Sequence, residues 1–279
     1  MRNRSLIITL IVILSMFVFA LTGGLILLLF RMDSFNFNFD FNDSNPVLVN
    51  SYDVDYREVN KIYFNLHSTD VQIKKSDSDK VVVEYYSNQE KNPEIEFVDS
   101  ILSIDESNYN LKCIGFCNSN RKIIVFVPSE YSNVVSIITK SGDIKSEIDL
   151  SNINFSTMSG DVILNSGSNI DVSTISGDVL LGNVDSLSVS TTSGDIKTSG
   201  VSNYVNVKST SGDVSIGKLS IKEDSNISTV SGDVSINNNE SNCYVDVSTV
   251  SGDKNINNSD RKSDIVLKIK TTSGDISVY

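Results

Sequence analysis

Ile170-Asp171-Val172-Ser173-Thr174-Ile175-Ser176-Gly177-Asp178-Val179-Leu180-Leu181 is the stretch that decides the fold. Val172, Thr174 and Ser176 alternate with Ser173 and Ile175. Period two predicts a strand with Val, Thr and Ser on one face. Val179 and Leu181 alternate again, one residue out of phase. Gly177-Asp178 is therefore expected to be a bulge or corner that resets the facing. Glycine takes backbone angles that other residues resist, and aspartate can bond an amide two residues on and hold the turn.

The Ser-Gly-Asp signature of this stretch recurs along the second half of the chain. Its aspartates are Asp143, Asp161, Asp178, Asp195, Asp213, Asp233, Asp253 and Asp275, at steps of 18, 17, 17, 18, 20, 20 and 22 residues. A period near twenty with a fixed turn and variable spacers marks a solenoid. Two residues before each signature serine stands Thr or Ser, from Thr139 to Thr271. Two further back stand Ile137, Phe155, Val172, Val189, Val207, Ile227, Val247 and Ile269. Two after the glycine stand Ile144, Val162, Val179, Ile196, Val214, Val234, Lys254 and Ile276. Stacked about 4.8 Å apart, these columns build a core that no single coil could bury. Lys254 breaks the apolar rule and is expected near a coil edge. No proline follows Pro128, as central strands require, and Phe155 is the one phenylalanine beyond it, so the core is expected to be thin and aliphatic.

The chain of 279 residues carries a net charge of −12, which argues against nucleic acid or anionic lipid as a partner. Residues 6–30 form an uncharged run of 25 residues, longer at about 1.5 Å per residue than a bilayer core of about 30 Å. Arg2 and Arg4 precede it; Arg31 follows, and then Asp33, Asp40 and Asp43. That bias predicts a cytoplasmic N-terminus and an extracytoplasmic remainder. A cleaved signal peptide is the rival reading, but Ala20-Leu21-Thr22 is a poor small-x-small cleavage site and the apolar run continues to Phe30.

Phe35, Phe37, Phe39 and Phe41 alternate with polar residues, as an oligomerising strand or as a spacer whose rings rest in the membrane interface. Strands are expected over 61–66, 71–74, 80–86, 94–98, 101–104 and 122–127. Ser68-Thr69-Asp70-Val71 looks like a degenerate copy of the signature, so this part is expected to supply irregular first coils that cap the stack. Cys113 and Cys117 are separated by the three residues Ile114-Gly115-Phe116; a disulfide closing a small loop and two free thiols are both open. Cys243 is expected to be buried. His67 stands alone, so a zinc site lacks ligands, and no cofactor is implied. The domain division that follows is a cytoplasmic tip and anchor over 1–31, a juxtamembrane linker over 32–53, a β-rich part over 54–128 and the repeat solenoid over 129–279.

Val71-Gln72-Ile73, residues 80–86, Ile101-Leu102-Ser103-Ile104 and residues 123–128, together with the train of Ser-Gly-Asp-Val/Ile coils, resemble the bacterial putative-adhesin family, a domain of unknown function. The resemblance covers about Val54 to Tyr279. It implies an all-β chain: a β-solenoid of about eight coils with an irregular β N-terminal cap, on the cell surface behind one membrane helix. Some similar proteins accompany envelope-stress systems. The family brings no catalytic residues.

The leading functional expectation is a non-enzymatic surface protein that binds or scaffolds an envelope protein or polysaccharide. A carbohydrate-cleaving β-helix would need a local carboxylate pair, whereas here every coil carries one aspartate beside a glycine, and Lys145, Lys197, Lys208, Lys218 and Lys222 are scattered. An ice-binding Thr-x-Ser array would need a uniform outward face, and parity turns these hydroxyls toward the core. A calcium ladder over the eight signature aspartates would need six or more oxygens per ion, and one aspartate per coil supplies few.

Overall fold

The computed structural model describes residues 45–88, 92–107 and 120–279. The uncharged run 6–30, the phenylalanine row and Cys113 and Cys117 lie outside the described residues. Among the described residues no helix is long and apolar enough to cross a membrane. The only helical turn among them is the 3₁₀ turn Tyr56–Glu58.

Everything else regular is strand. The strands are β1 (Val47–Asp55), β2 (Lys61–Asn65), β3 (Asp70–Lys75), β4 (Lys80–Ser87), β5 (Ile95–Val98), β6 (Ile101–Asp105), β7 (Arg121–Val127), β8 (Val134–Ile138), β9 (Ile144–Ser156) and β10 (Val162–Ser173). They continue as β11 (Val179–Ser190), β12 (Ile196–Lys208), β13 (Val214–Leu219), β14 (Ser225–Ser228), β15 (Val234–Ile236), β16 (Tyr244–Ser248), β17 (Lys254–Ile256), β18 (Val266–Lys270) and β19 (Ile276–Val278). Each expected strand before Pro128 forms, within about a residue of its expected ends. β1 is an addition. The folded part takes in Val47–Asp53, assigned above to the linker, because β1 pairs antiparallel with β4.

Two ladders run through the described residues. The first is β5-β6-β2-β8-β9-β10-β11-β12-β14-β18-β16. The second is β1-β4-β7-β3-β9-β10-β11-β12-β13-β15-β19-β17. Strands β9 to β12 belong to both, each running along one face and round a corner to the other. All pairings are parallel except β1–β4, β4–β7 and β5–β6, at the N-terminal end. The register matches signature to signature: Val162 pairs Ile144 on one side and Val179 on the other. Ile144, Val162, Val179, Ile196, Val214, Val234 and Ile276 are buried to 1% exposure or less. Full burial of such a side chain is worth about 1.5–3 kcal/mol, which a single coil could not collect.

The coils do not stack in chain order at either end. The first coil, β2–β3, lies between the coil β6–β7 and the coil that begins with β8. The last coil, β18–β19, lies between β14–β15 and β16–β17. The degenerate copy at Thr69-Asp70 is therefore an interior coil, and the cap beyond it is β7, β4 and β1 on one ladder and β6 and β5 on the other. At the far end the outermost coil carries Lys254, exposed on a strand that pairs only with β19. A lysine in an apolar column blunts an open edge, so the sequence outlier falls on the spatially terminal coil.

Candidate binding face

The signature aspartates converge on one column, and their work differs from the expected turn. The Asp161 amide donates to Asp143 Oδ1 at 2.9 Å, the Asp178 amide to Asp161 Oδ1 at 2.9 Å and the Asp195 amide to Asp178 Oδ1 at 2.9 Å. The column continues through Asp213, Asp233, Asp275 and Asp253. It begins one coil earlier, where Asp70 Oδ1 accepts from the Asp143 amide at 3.0 Å. Each carboxylate but that of Asp253, on the outermost coil, thus holds the neighbouring coil's corner rather than its own. The contact is reciprocal: the Val162 amide donates to the Asp178 carbonyl and the Val179 amide to the Asp195 carbonyl, both at 2.9 Å. Among the described residues no group of three or more His, Cys, Asp or Glu side chains is placed to hold a metal ion. Carboxylates spent on amides make a spine.

The glycine beside each aspartate is fixed by close approach. A Cβ on Gly177 would lie 1.9 Å from the Gly160 carbonyl oxygen, and one on Gly160 would lie 2.0 Å from that of Gly142. The signature serine departs from its expected facing. Val172 and Thr174 are buried, Ile175 and Ser176 both face out, and Gly177 is buried again. The phase resets at Ile175-Ser176, before the glycine. The threonine hydroxyls turn inward: Thr174 Oγ1 accepts the Gly177 amide at 3.0 Å, and Thr157 does the same for Gly160.

The N-terminal part holds a cluster that sequence reasoning missed. Glu106 is fully buried. It accepts from the Tyr85 hydroxyl at 2.6 Å, the Thr69 hydroxyl at 2.7 Å and the His67 amide at 2.8 Å, and it faces Arg121 at 3.5 Å. Burial, then the Glu106 charge, hold the Tyr85 hydroxyl well above its ordinary range. The Arg121 Nε is buried without a hydrogen-bond partner, but both Glu106 oxygens are engaged by residues of the first coil and the cap, so the cluster pins the one to the other. Nothing local marks Glu106; its partners are 15 to 39 residues away. Cys243 is buried and free, and burial raises its thiol.

What remains for a ligand is the outside of the ladders. On the second ladder a groove of about 530 Å³ runs past Lys145, Ile163, Leu180 and Lys197. Its one carboxylate, Glu147, is engaged by Gln72 and Lys145. Lys218 is tied to Glu240 at 2.8 Å, which holds the Glu240 carboxyl below its usual range. On the first ladder a shallower groove of about 280 Å³ runs from Val134 to Tyr204, with Asn, Asp and Ser side chains along it over a floor of Ile153, Ile170 and Leu187.

The family described as Toastrack DUF4097 matches residues 59–279. The structure is similar to that of a putative lipid binding protein from Parabacteroides distasonis, with a TM-score of 0.53 and 18% identity over 85% of this chain and 98% of that one. It is also similar to a putative adhesin from Bacteroides fragilis, with a TM-score of 0.49 and 16% identity over 84% and 97% of the two chains. A putative adhesin from the same Parabacteroides species gives 0.46 and 14% over 82% and 96%. No curated protein matches the chain.

Proposed function

Because this chain belongs to the Toastrack DUF4097 family, we propose that it is a non-enzymatic surface-binding solenoid, held to the cell membrane by residues 6–30 with its C-terminal domain outside. The observation that carries this reading is the outer face. The same outward positions recur in register coil after coil, so side chains such as Lys145, Ile163, Leu180 and Lys197 form a continuous strip in one groove. A strip of this kind suits an extended partner better than a small substrate, which prefers a concave pocket with few convergent polar groups. The adhesin names carried by similar structures agree with it. The anchor rests on the uncharged run and on Arg2 and Arg4. An accessory role in envelope-stress sensing fits the same placement.

Protease added to intact spheroplasts that make the full chain tests this. The reading expects the domain from about Ser44 onward to be degraded, leaving a short membrane-embedded fragment. A C-terminus that resists protease until the membrane is opened would overturn it.

A further inference from the structure

The groove on the first ladder has the chemistry of one ligand class. Its central row runs along the stack as Val134, Asn152, Asn169, Ser186 and Tyr204, one residue per strand from β8 to β12. At about 4.8 Å per strand the row is roughly 19 Å long. A second outward row, Asn154, Asp171 and Ser188, lies two residues further along the same strands.

The inner side chains are held in place. Asn169 Nδ2 donates to Asn152 Oδ1 at 3.1 Å, Asn152 Nδ2 donates to the Ser132 carbonyl at 2.8 Å, and Asn203 Nδ2 donates to Ser186 Oγ at 3.1 Å. Among the described residues, Asn154, Asp171, Ser188 and the Tyr204 hydroxyl make no side-chain hydrogen bond. They stand outward beside the fixed row, offering both donors and acceptors.

We infer that a neutral, hydroxyl-rich glycan lies along this groove, with one sugar ring on Tyr204 and the next hydroxyls on Asn154, Asp171 and Ser188. Sugar hydroxyls both donate and accept, and so match amide, hydroxyl and carboxylate side chains together. The apolar face of a sugar ring fits a tyrosine ring whose polar tip stays wet. No cation lines the groove, and an anionic chain would meet Asp171 with nothing in return. A peptide strand finds no backbone to pair with, because β9 to β11 have neighbours on both sides. This deepens the surface-binding reading and rests on it.

The test is binding of the full chain, purified in detergent, to immobilised cellohexaose, xylohexaose and dextran, with polygalacturonate as the anionic comparator. Saturable binding to at least one neutral glycan is expected, with polygalacturonate weaker. Y204A should weaken that binding about tenfold or more, the scale of losing an aromatic anchor. Y204F should keep most of it. The exposed pair N154A/D171A, which tests the groove independently of Tyr204 packing, should also weaken it, while K75A, an exposed position outside both grooves, should not. No saturable binding to any neutral glycan, or parental affinity in both Y204A and N154A/D171A, would overturn the inference. Glycan binding by a domain that proves to lie inside the cell would remove the surface reading and leave the groove. An exposed domain that binds none of the neutral glycans would remove only the groove.

Discussion

At the scale of the residue, the Ser-Gly-Asp signature is a device for joining one coil to the next. Gly177 faces the Gly160 carbonyl where its Cβ would stand at 1.9 Å, so G177A must push two backbones apart. The expected cost is about 3 kcal/mol, the upper range for overpacking. G200A is the matched control: its Cβ would first meet the flexible end of Asn183 at 2.9 Å and should cost under about 1 kcal/mol. Chemical denaturation of the two variants checks the contrast; equal losses would deny the carbonyl column. Asp178 makes a second case. D178N keeps an oxygen for the Asp195 amide and relieves repulsion within a column of carboxylates about 4.8 Å apart, so its melting temperature should match or exceed the parent. D178A strands that amide and should cost about 1 kcal/mol or more. Calcium and magnesium at equal ionic strength should shift melting alike, since the carboxylates are taken by amides. The sequence makes these residues legible as a repeat but not their roles, because an aspartate that caps its own turn and one that caps its neighbour's look identical in one dimension.

At the scale of the element, a coil is an exchangeable unit. Removing residues 178–194 joins Gly177 to Asp195, rebuilds the signature and leaves β10 to stack on β12 through the register it shares with β11. Removing 178–185 leaves the corner without its aspartate and half a coil without partners. The longer deletion should therefore keep the β-rich circular dichroism with a modest fall in melting temperature, and the shorter should be far less stable. The reverse ranking would mean that the coils are not modular. The N-terminal coil is different in kind, because it is locked by charge. Arg121 has a side chain 4% exposed against a Glu106 that is wholly buried. R121L leaves the buried Glu106 without its cation, at a cost of about 3–5 kcal/mol, while R121K should fall between R121L and the parent. Thermal melts at neutral pH measure both. The repeat strands and the strands before Pro128 are readable from period two alone. β1 is not: Val47, Leu48 and Val49 are 63, 50 and 39% exposed on an edge, and show no alternation to read. The candidate groove escapes for a related reason. Outward positions carry no pattern, and Tyr204 gains meaning only when Ser186 and Asn169 are seen beside it.

At the scale of the whole molecule, both chain ends of the solenoid are tucked one place inward. The coil β2–β3 is covered by β6–β7, and β18–β19 is covered by β16–β17. The first and last coils are therefore central, with partners on both sides, while β1, ahead of the first coil in the chain, is the outer strand of the cap. Chain order could not reveal this, since every coil carries the same signature and would pair with any other. One outlier did bear on it: Lys254 is misplaced in a stack read in chain order and well placed as the outermost coil. Disulfide trapping in a variant lacking Cys113, Cys117 and Cys243 tests the arrangement most directly. Ser277 pairs Ser235 on one side and Asn255 on the other. Neighbouring strands about 4.8 Å apart fall within disulfide reach and strands two places apart fall outside it. S235C/S277C should oxidise readily to the bridged form and S235C/N255C should stay reduced; bridging of S235C/N255C with S235C/S277C left reduced would contradict the inserted last coil.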